Sequence, residues 1–390
     1  MSVYVEIQGV RYHQFTSLTL QRSKEAMTCS GSITLSWPGA EMFNATTPPA
    51  QEMTDGAKGE VYLDDQKAGT FRIDKRSSKG SGTEFSLDLT FRGLAAALVD
   101  SSPDHPSGQE NDKSSAEICK TLMDGYESRL VDKSKDSRPQ KRFVIREGET
   151  IERSIRRATR EFGLIAYENE DGDVELHQSE DDEGAGQDLV LGQNFTQWSV
   201  GRDVSQRFSK VTTKGSAVAT DEKYGVYAEV LAAEAIDSYV EFKKERHITV
   251  ESDQDQETLK KRAITEARRR TAKGFTVSLT MSSHSDDVGQ LWKVGRKHHV
   301  VIPVDQVDDE LIISQVSFSL QGDTRETAVD LVPPESYSSS EKKADGGKAA
   351  TSSKGKAKGK GKGAGGGAGG GGGSAGDVLG KDIDARILSE

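Results

Sequence analysis

The chain has 390 residues, 33% of them hydrophobic and 29% charged, with a formal net charge of −11. That length supports two to four domains with cores of their own; two cysteines, Cys29 and Cys119, far apart in the chain, argue against a disulfide framework and read as buried thiols of a reducing compartment. The charge is unevenly held: 338–376 carries +6 and 377–390 carries −2, which leaves −15 on 1–337 and makes a poor general nucleic-acid binder, because affinity for phosphates rests on Lys and Arg displacing counterions.

The opening MSVYVEIQGV has neither a basic n-region nor an apolar h-region, and the longest apolar run, 94–99, is far short of a membrane span. A soluble product without targeting segment or membrane anchoring is the expectation. Apolar and polar residues alternate through 3–7, 18–20 and 32–37, punctuated by Gly9, Gly31, Pro38 and Gly39, as strands of a first β-domain, 1–100. The Thr-, Pro- and Asp-rich stretch 40–58 has no period and reads as a long exposed loop. The stretch 69–91, GTFRIDKRSSKGSGTEFSLDLTF, gives a strand, a Gly-containing polar turn and a second strand alternating through Phe85, Leu87, Leu89 and Phe91.

At Ser101-Ser102-Pro103 the texture turns from β to helix. Asn111 or Asp112 is expected to cap a helix with Ala116, Cys119, Leu122, Met123 and Tyr126 on one face. After a short strand at 143–145, the turn 147–150 leads into a second helix with Ile151, Ile155, Ala158 and Phe162 at helical spacing, stopped by Gly163. Strands at 164–167 and 174–176 flank an Asp-Gly turn. These features define an α/β insertion domain, 101–178, followed by an acidic linker, 179–187.

The second β-domain, 188–337, opens with strands at 195–200 and 208–213; 217–235 has no decisive pattern and reads as a mobile loop with an Ala-rich turn. Ser252 or Asp253 caps the clearest helix of the chain, apolar at Leu259, Ala263, Ile264 and Ala267, basic at Arg268, Arg269, Arg270 and Lys273, and ended by Gly274. Near the end of the domain, 310–331, ELIISQVSFSLQGDTRETAVDL, is a hairpin about Gln321-Gly322-Asp323 that repeats the plan of 69–91. Each hairpin follows a short strand, 61–63 in one case and 300–304 in the other. The chain therefore reads as one β-unit used twice: a mainly β protein of two similar small β-barrel domains with an α+β insertion between them.

The tail is of another kind. Of 40 glycines, 16 fall between 346 and 380 among Lys, Ala and Ser, so no core is expected there and 338–376 reads as a disordered linker with a root-mean-square reach of ~35 Å. The end, 377–390, regains Val378, Leu379, Ile383, Ile387 and Leu388 and reads as a short tethered docking segment, the alternative being a solubilising appendage.

The sequence carries few signs of chemistry. His298 and His299 are adjacent on a strand and point to opposite faces, so one ion cannot easily use both. The 180–183 acids lack EF-hand spacing, H-E-x-x-H and Walker motifs are absent from the sequence, and G-x-S-x-G and G-x-G-x-x-G strings occur only within the Gly-rich tail, as at 372–376 and 361–366, where composition accounts for them. The lysines of 354–362 have no aromatic among them and read as a spacer, and Trp37, Trp198 and Trp292 read as core. The strand, turn and helix of 143–162 are similar to a LysM glycan-binding module, but a helix-to-hairpin continuation replaces its second helix. No catalytic, cofactor or metal residue is singled out.

Several stretches together resemble a known family. They are Leu98-Val99-Asp100, the block FVIREGETIERSIRRATREFGL with its Asp-Gly hairpin, RDVSQRFSKVTTKG at 202–215, the Arg-rich helix 260–270, LWKVGRKHHVVIP at 291–303, and 310–337. In this order they resemble the baseplate hub proteins of contractile-tailed, Mu-like phages, related in fold to the T4 tail hub and to the hub-like part of type VI secretion spikes. The resemblance covers 1–337 and leaves out the Gly/Lys tail. It implies a homotrimer whose two β-domains alternate round a ring, adapting a hexameric tail tube to a trimeric central spike. The implied partners are the tail tube and distal tail proteins, the spike, the baseplate wedge proteins, and genomic DNA passing an acidic lumen without specific binding. The implied location is the virion baseplate, assembled in the bacterial host cytoplasm. No cofactor and no catalysis are implied; the rival expectation is a cell-wall glycan-binding or peptidoglycan-hydrolysing tail protein.

Overall fold

The computed structural model describes residues 3–13, 15–38, 53–81, 83–160, 162–178, 184–215, 231–249, 256–337 and the backbone of Ile383–Leu388. Residues 40–52 of the expected exposed loop 40–58, most of the acidic linker, the helix caps Ser252 and Asp253, the Gly/Lys linker, Val378 and Leu379 lie outside the described residues; in the rest of that loop Met53 and Ala57 are buried, 0% and 6% exposed, and Lys58 opens a strand.

The first unit comprises β1 (Val3–Ile7), β2 (Val10–Tyr12), β3 (Phe15–Ser23), β4 (Ser30–Pro38), β5 (Lys58–Leu63), β6 (Gln66–Gly80) and β7 (Glu84–Gly93). Period-two alternation sets the inward rows, such as Leu87, Leu89 and Phe91 on β7 against Ile33 and Leu35 on β4, all at most 1% exposed. Each such side chain contributes ~1.5–3 kcal/mol by burial. Between β5 and β6 the two-residue turn Asp64-Asp65 takes positive φ at both positions (51° and 63°), which matches the twist of a tight hairpin. Gly31 is required by packing: a Cβ there would lie 2.1 Å from the Thr19 carbonyl oxygen and 2.4 Å from the Phe91 ring.

The insertion carries α1 (Ala96–Asp100), β8 (Gln109–Glu110), β9 (Lys113–Ser114), α2 (Ser115–Leu122), β10 (Leu130–Asp132), β11 (Pro139–Gln140), β12 (Phe143–Val144), α3 (Ile151–Arg160), β13 (Leu164–Glu168) and β14 (Val174–Gln178). Ser114, not Asn111 or Asp112, caps α2: its hydroxyl accepts from the Glu117 N–H and the Glu117 carboxylate accepts from the Ser114 N–H, a reciprocal box that two consecutive short strands bring into place. Ile118, Cys119, Leu122, Ile151, Ile155 and Leu176 form its core. Ala95 and Leu98 belong to the same core, so this body packs as one from before residue 101.

The remainder comprises β15 (Leu189–Val190), β16 (Gln197–Arg202), β17 (Lys210–Gly215), β18 (Leu231–Asp237), β19 (Glu245–Thr249), α4 (Gln256–Lys273), β20 (Phe275–Met281), β21 (Lys297–Ile302), β22 (Val307–Gln321), β23 (Thr324–Val332) and β24 (Ile383–Leu388). It holds two bodies. β15, β16 and β20–β23 form the second unit. β17, β18, β19 and β24 form a separate four-stranded sheet covered by α4, where Ala233, Ala235, Leu259 and Ala263 are fully buried and let helix and sheet approach closely. The long helix therefore lies outside the second unit; of the expected loop 217–235, residues 217–230 lie outside the described residues and 231–235 belong to strand β18.

The duplication appears in the strand order. The first unit runs β3-β4-β7-β6-β5-β1 and the second β16-β20-β23-β22-β21-β15, each step but the last being antiparallel in both. At the last step β1 pairs antiparallel with β5 whereas β15 pairs parallel with β21. The bulges coincide as well: β6 shifts register between Ile73 and Lys75 and β22 between Ile313 and Gln315. The chain is thus mainly β, with an α/β insertion between two similar units, and β3 pairs with β22 so that both units share one 13-stranded sheet and one core.

Candidate functional site

The solvent-facing rows of the shared sheet are paved with hydroxyls. Core positions alternate with Ser17 and Thr19 on β3, Ser32, Thr34 and Ser36 on β4, Ser86 and Thr90 on β7, Ser317 and Ser319 on β22, and Thr276, Ser278 and Thr280 on β20. Many are tied across the strands: Thr19 with Ser32 at 2.9 Å, and the Thr34 hydroxyl donating to Asp88 at 2.9 Å. On these rows Asp88, Glu326 and Asp330 stand against Lys75 and Lys79, and Lys79 pairs with Asp88 at 3.4 Å. The face is therefore nearly neutral, and its character comes from short hydroxyls; the large negative charge of 1–337 lies elsewhere.

The sheet ends in unequal edges. β22 is long enough to pair with β21 along Val307–Ile312 and with β3 along Gln315–Gln321, on the same side. Its counterpart β6 pairs with β5 along 66–72, but among the described residues its 75–80 edge has no partner. Among the described residues β16, the counterpart of β3, pairs only with β20. Matching registers place Ser199 where the first unit has Thr19, and Lys79 where the second has Ser319. Trp198 sits on this open strand, 39% exposed, with its indole N–H donating to Asp305 at 2.7 Å; edge position overrides the expectation that it is core, which Trp37 and Trp292 do meet.

A buried polar joint fixes the insertion to the first unit. The Glu168 carboxylate accepts from the Cys29 N–H at 2.8 Å and the Ala95 N–H at 2.9 Å, and Arg22, paired with Glu170, donates to the Glu168 carbonyl at 2.9 Å. Gly93 leaves the room: a Cβ there would lie 1.8 Å from the carboxylate. Burial pushes the Glu168 carboxyl up against the pull of those N–H donors, and pushes the Cys29 thiol well up too. Burial raises Cys119 to about 12, so neither thiol is a nucleophile at neutral pH. No pattern in the sequence marks Glu168 as the joint; it occupies an ordinary strand position.

His298 and His299 do point to opposite faces. His298 is 1% exposed with Nδ1 against the Gln187 carbonyl at 2.9 Å, and burial lowers its pKa; His299 meets Asp308 at 2.8 Å in solvent. Among the described residues no group of three His, Cys, Asp or Glu side chains is placed to hold a metal ion, and no helix is long and apolar enough to cross a membrane. A cleft of ≈ 500 Å³ between the insertion and α4 is rimmed by Arg156, Arg160, Arg262, Arg269 and Lys273 with Glu25, Glu266 and Tyr337. Of the expected docking residues, Ile383, Ile387 and Leu388 fall on β24, which pairs antiparallel with β18 of its own chain.

Residues 95–178 match the family described as baseplate hub protein gp44-like, second domain. The chain is 26% identical over 353 residues to the baseplate hub protein gp44 of Escherichia phage Mu, covering 86% of this chain and 89% of that protein. The crystal structure of the 43 kDa tail protein of prophage MuSo2 from Shewanella oneidensis superposes with a TM-score of 0.75 at 22% identity, over 87% of this chain and 100% of that one. The E. coli c3393 protein, a component of the type VI secretion system with structural similarity to T4 tail proteins gp27 and gp5, superposes at 0.52 with 13% identity, over 84% and 76%. The resemblance carried by the sequence blocks is thus shared by the family match, the relative and the fold.

Proposed function

We propose that this protein is the baseplate hub of a contractile phage tail: a structural, non-enzymatic homotrimeric ring in the virion, assembled in the host cytoplasm. The ring adapts a sixfold tail tube to a threefold spike. The observation that carries the ring is the pair of open edges described above. Inside the chain, β3 pairs with β22; among the described residues the equivalent strands β16 and β6 are each left with a free edge. Pairing β16 of one copy with the 75–80 edge of β6 in the next repeats the internal junction between copies. Such a head-to-tail contact generates a ring when the rotation closes. Three copies then give six similar units, one face repeating six times and the other three.

Arg76, Ser78 and Gly80 occupy on β6 the positions held on β22 by Val316, Phe318 and Leu320. The open edge is therefore polar, which suppresses promiscuous pairing of the free chain. Facing the lumen, the hydroxyl-paved sheet offers DNA few phosphate anchors. The tail tube and distal tail proteins would meet the sixfold face, the central spike the threefold face, and wedge proteins the periphery.

The test is a Lys79→Cys/Ser199→Cys variant. The proposed register sets these residues opposite each other in neighbouring copies, at the 4.5–5.5 Å Cα separation of paired strands that a disulfide accepts. Oxidation is expected to yield a covalent ladder ending at trimer, with annular particles in the electron microscope. A chain that sediments as monomer at tens of micromolar and gives no ladder would sink the ring. A cell-wall enzyme would instead clear peptidoglycan in a zymogram, and no clearing is expected.

A further inference from the structure

β24 completes a sheet whose edge is otherwise open, and the 45 residues before it, 338–382, are far more than that position requires. The start of this segment follows Tyr337, which is buried beside Arg269 and Lys273 at the C-terminal end of α4. Its end is held at the same place: Ile383 lies in register with Asp237, and the Thr271 hydroxyl of α4 donates to the Asp237 carboxylate at 3.4 Å. The two ends are separated by less than the ~27 Å length of the helix itself, which eight or nine extended residues would bridge. Each added residue lowers the local concentration of the strand at its own sheet and extends its reach to others.

We propose that β24 is exchanged between copies of this chain. The long segment carries it to the β18 edge of a neighbouring copy, where it pairs in the register seen within one chain. The match is specific enough for the purpose. Six consecutive positions pair, with Arg386 opposite Glu234, and Ile387, Ala385 and Ile383 opposite Ala233, Ala235 and Asp237. Main-chain pairing supplies affinity and alternate positions supply selectivity, as in other strand additions. Three such exchanges would staple the ring in the same head-to-tail sense as the β16–β6 junction, and the inference rests on that ring reading for the identity of the neighbour.

The experiment uses the full-length Glu234→Cys/Arg386→Cys variant, whose native thiols Cys29 and Cys119 are buried and do not compete. After mild oxidation, non-reducing electrophoresis is expected to show most of the protein as covalent dimers and trimers. Deleting 346–375 leaves 15 linker residues, ample for the strand's own chain but short for a neighbour, and is expected to shift the product at least tenfold towards intrachain disulfide. Mixing isotope-labelled and unlabelled variant before oxidation should give mixed species by mass. Trimers by sedimentation with only intrachain disulfide would overturn the exchange and leave the ring standing. Monomers by sedimentation with intrachain disulfide would overturn both. Absence of any disulfide in trimers that form normally would overturn the docking register itself.

Discussion

At the scale of single residues, the polar groups that matter are structural, and each is legible only once the fold is known. Glu175 and His177 stand two apart on β14, with Nε2 to carboxylate at 2.9 Å, and Lys133 reaches the same carboxylate at 2.7 Å. Burial disfavours the Glu175 carboxylate, but His177, Lys133 and Asn169 outweigh it and bring its pKa down from 4.5 to about 2. A folded pKa below the unfolded one means stability that is fully present above about 4.5 and lost as pH falls towards 2. Denaturant midpoints measured from pH 6 to 2 should therefore fall through this window, and the fall should be shallower in Glu175→Gln, which has already given up the ionised form. Equal slopes for the two proteins would show that the Glu175 cluster does not set acid sensitivity. In the sequence these three residues are unremarkable, because a hairpin and a parallel strand pairing bring them together from positions 133 to 177.

Among the elements, those with a strong local period were readable and those defined by their neighbours were not. The hairpin 310–331, the helix ended by Gly274 and the insertion helices follow from alternation, spacing and stop signals in a single stretch. β18 does not: Leu-Ala-Ala-Glu-Ala-Ile-Asp has the composition of a helix, and it is a strand because Ala233 and Ala235 fit beneath α4. Missing β18 merged its sheet with the second unit. That separate body rests on a buried pair, Arg207 with Asp237, 4% and 3% exposed, with a second contact at 3.0 Å and the Arg207 guanidinium 4.2 Å over the Tyr239 ring. Asp237→Asn removes one charge and leaves the other buried, a change that costs ~3–5 kcal/mol. Hydrogen exchange should then quicken in β17, β18, β19 and α4 while the 13-stranded sheet keeps its protection. Uniform loss of protection across both would mean that the two bodies unfold as one.

For the whole molecule, the duplication was legible because both hairpins repeat the same alternation, but the function of the repeat lies in what the repeat leaves unpaired. One unit spends its outer edge on the other, and that other ends in an edge of the same register with no partner among the described residues. The −15 of 1–337 led to the expectation of an acidic lumen; in the ring proposed above the shared face, nearly neutral and hydroxylated, would line it. Non-adhesion then comes from a near balance of charge, with Lys75 and Lys79 set against Asp88, Glu326 and Asp330, rather than from repulsion, and it is the easier property to break. Ser32→Lys and Ser317→Lys on the solvent-facing rows of β4 and β22 would place six lysines on the lumen of the proposed trimer, at positions where the side chain does not enter the core. Each phosphate neutralised releases condensed counterions, so affinity should fall with salt at a log–log slope of about −0.9 per contact. The unmodified protein is expected to retain no duplex DNA on a filter at 150 mM salt, a condition set by the ~8 Å screening length there. The double variant should retain DNA at 50 mM, lose it steeply by 200 mM, and unfold at the same temperature as the parent. Equal retention by both proteins at every salt concentration would mean that this face does not line the DNA path, and would move the lumen to the opposite side of the ring.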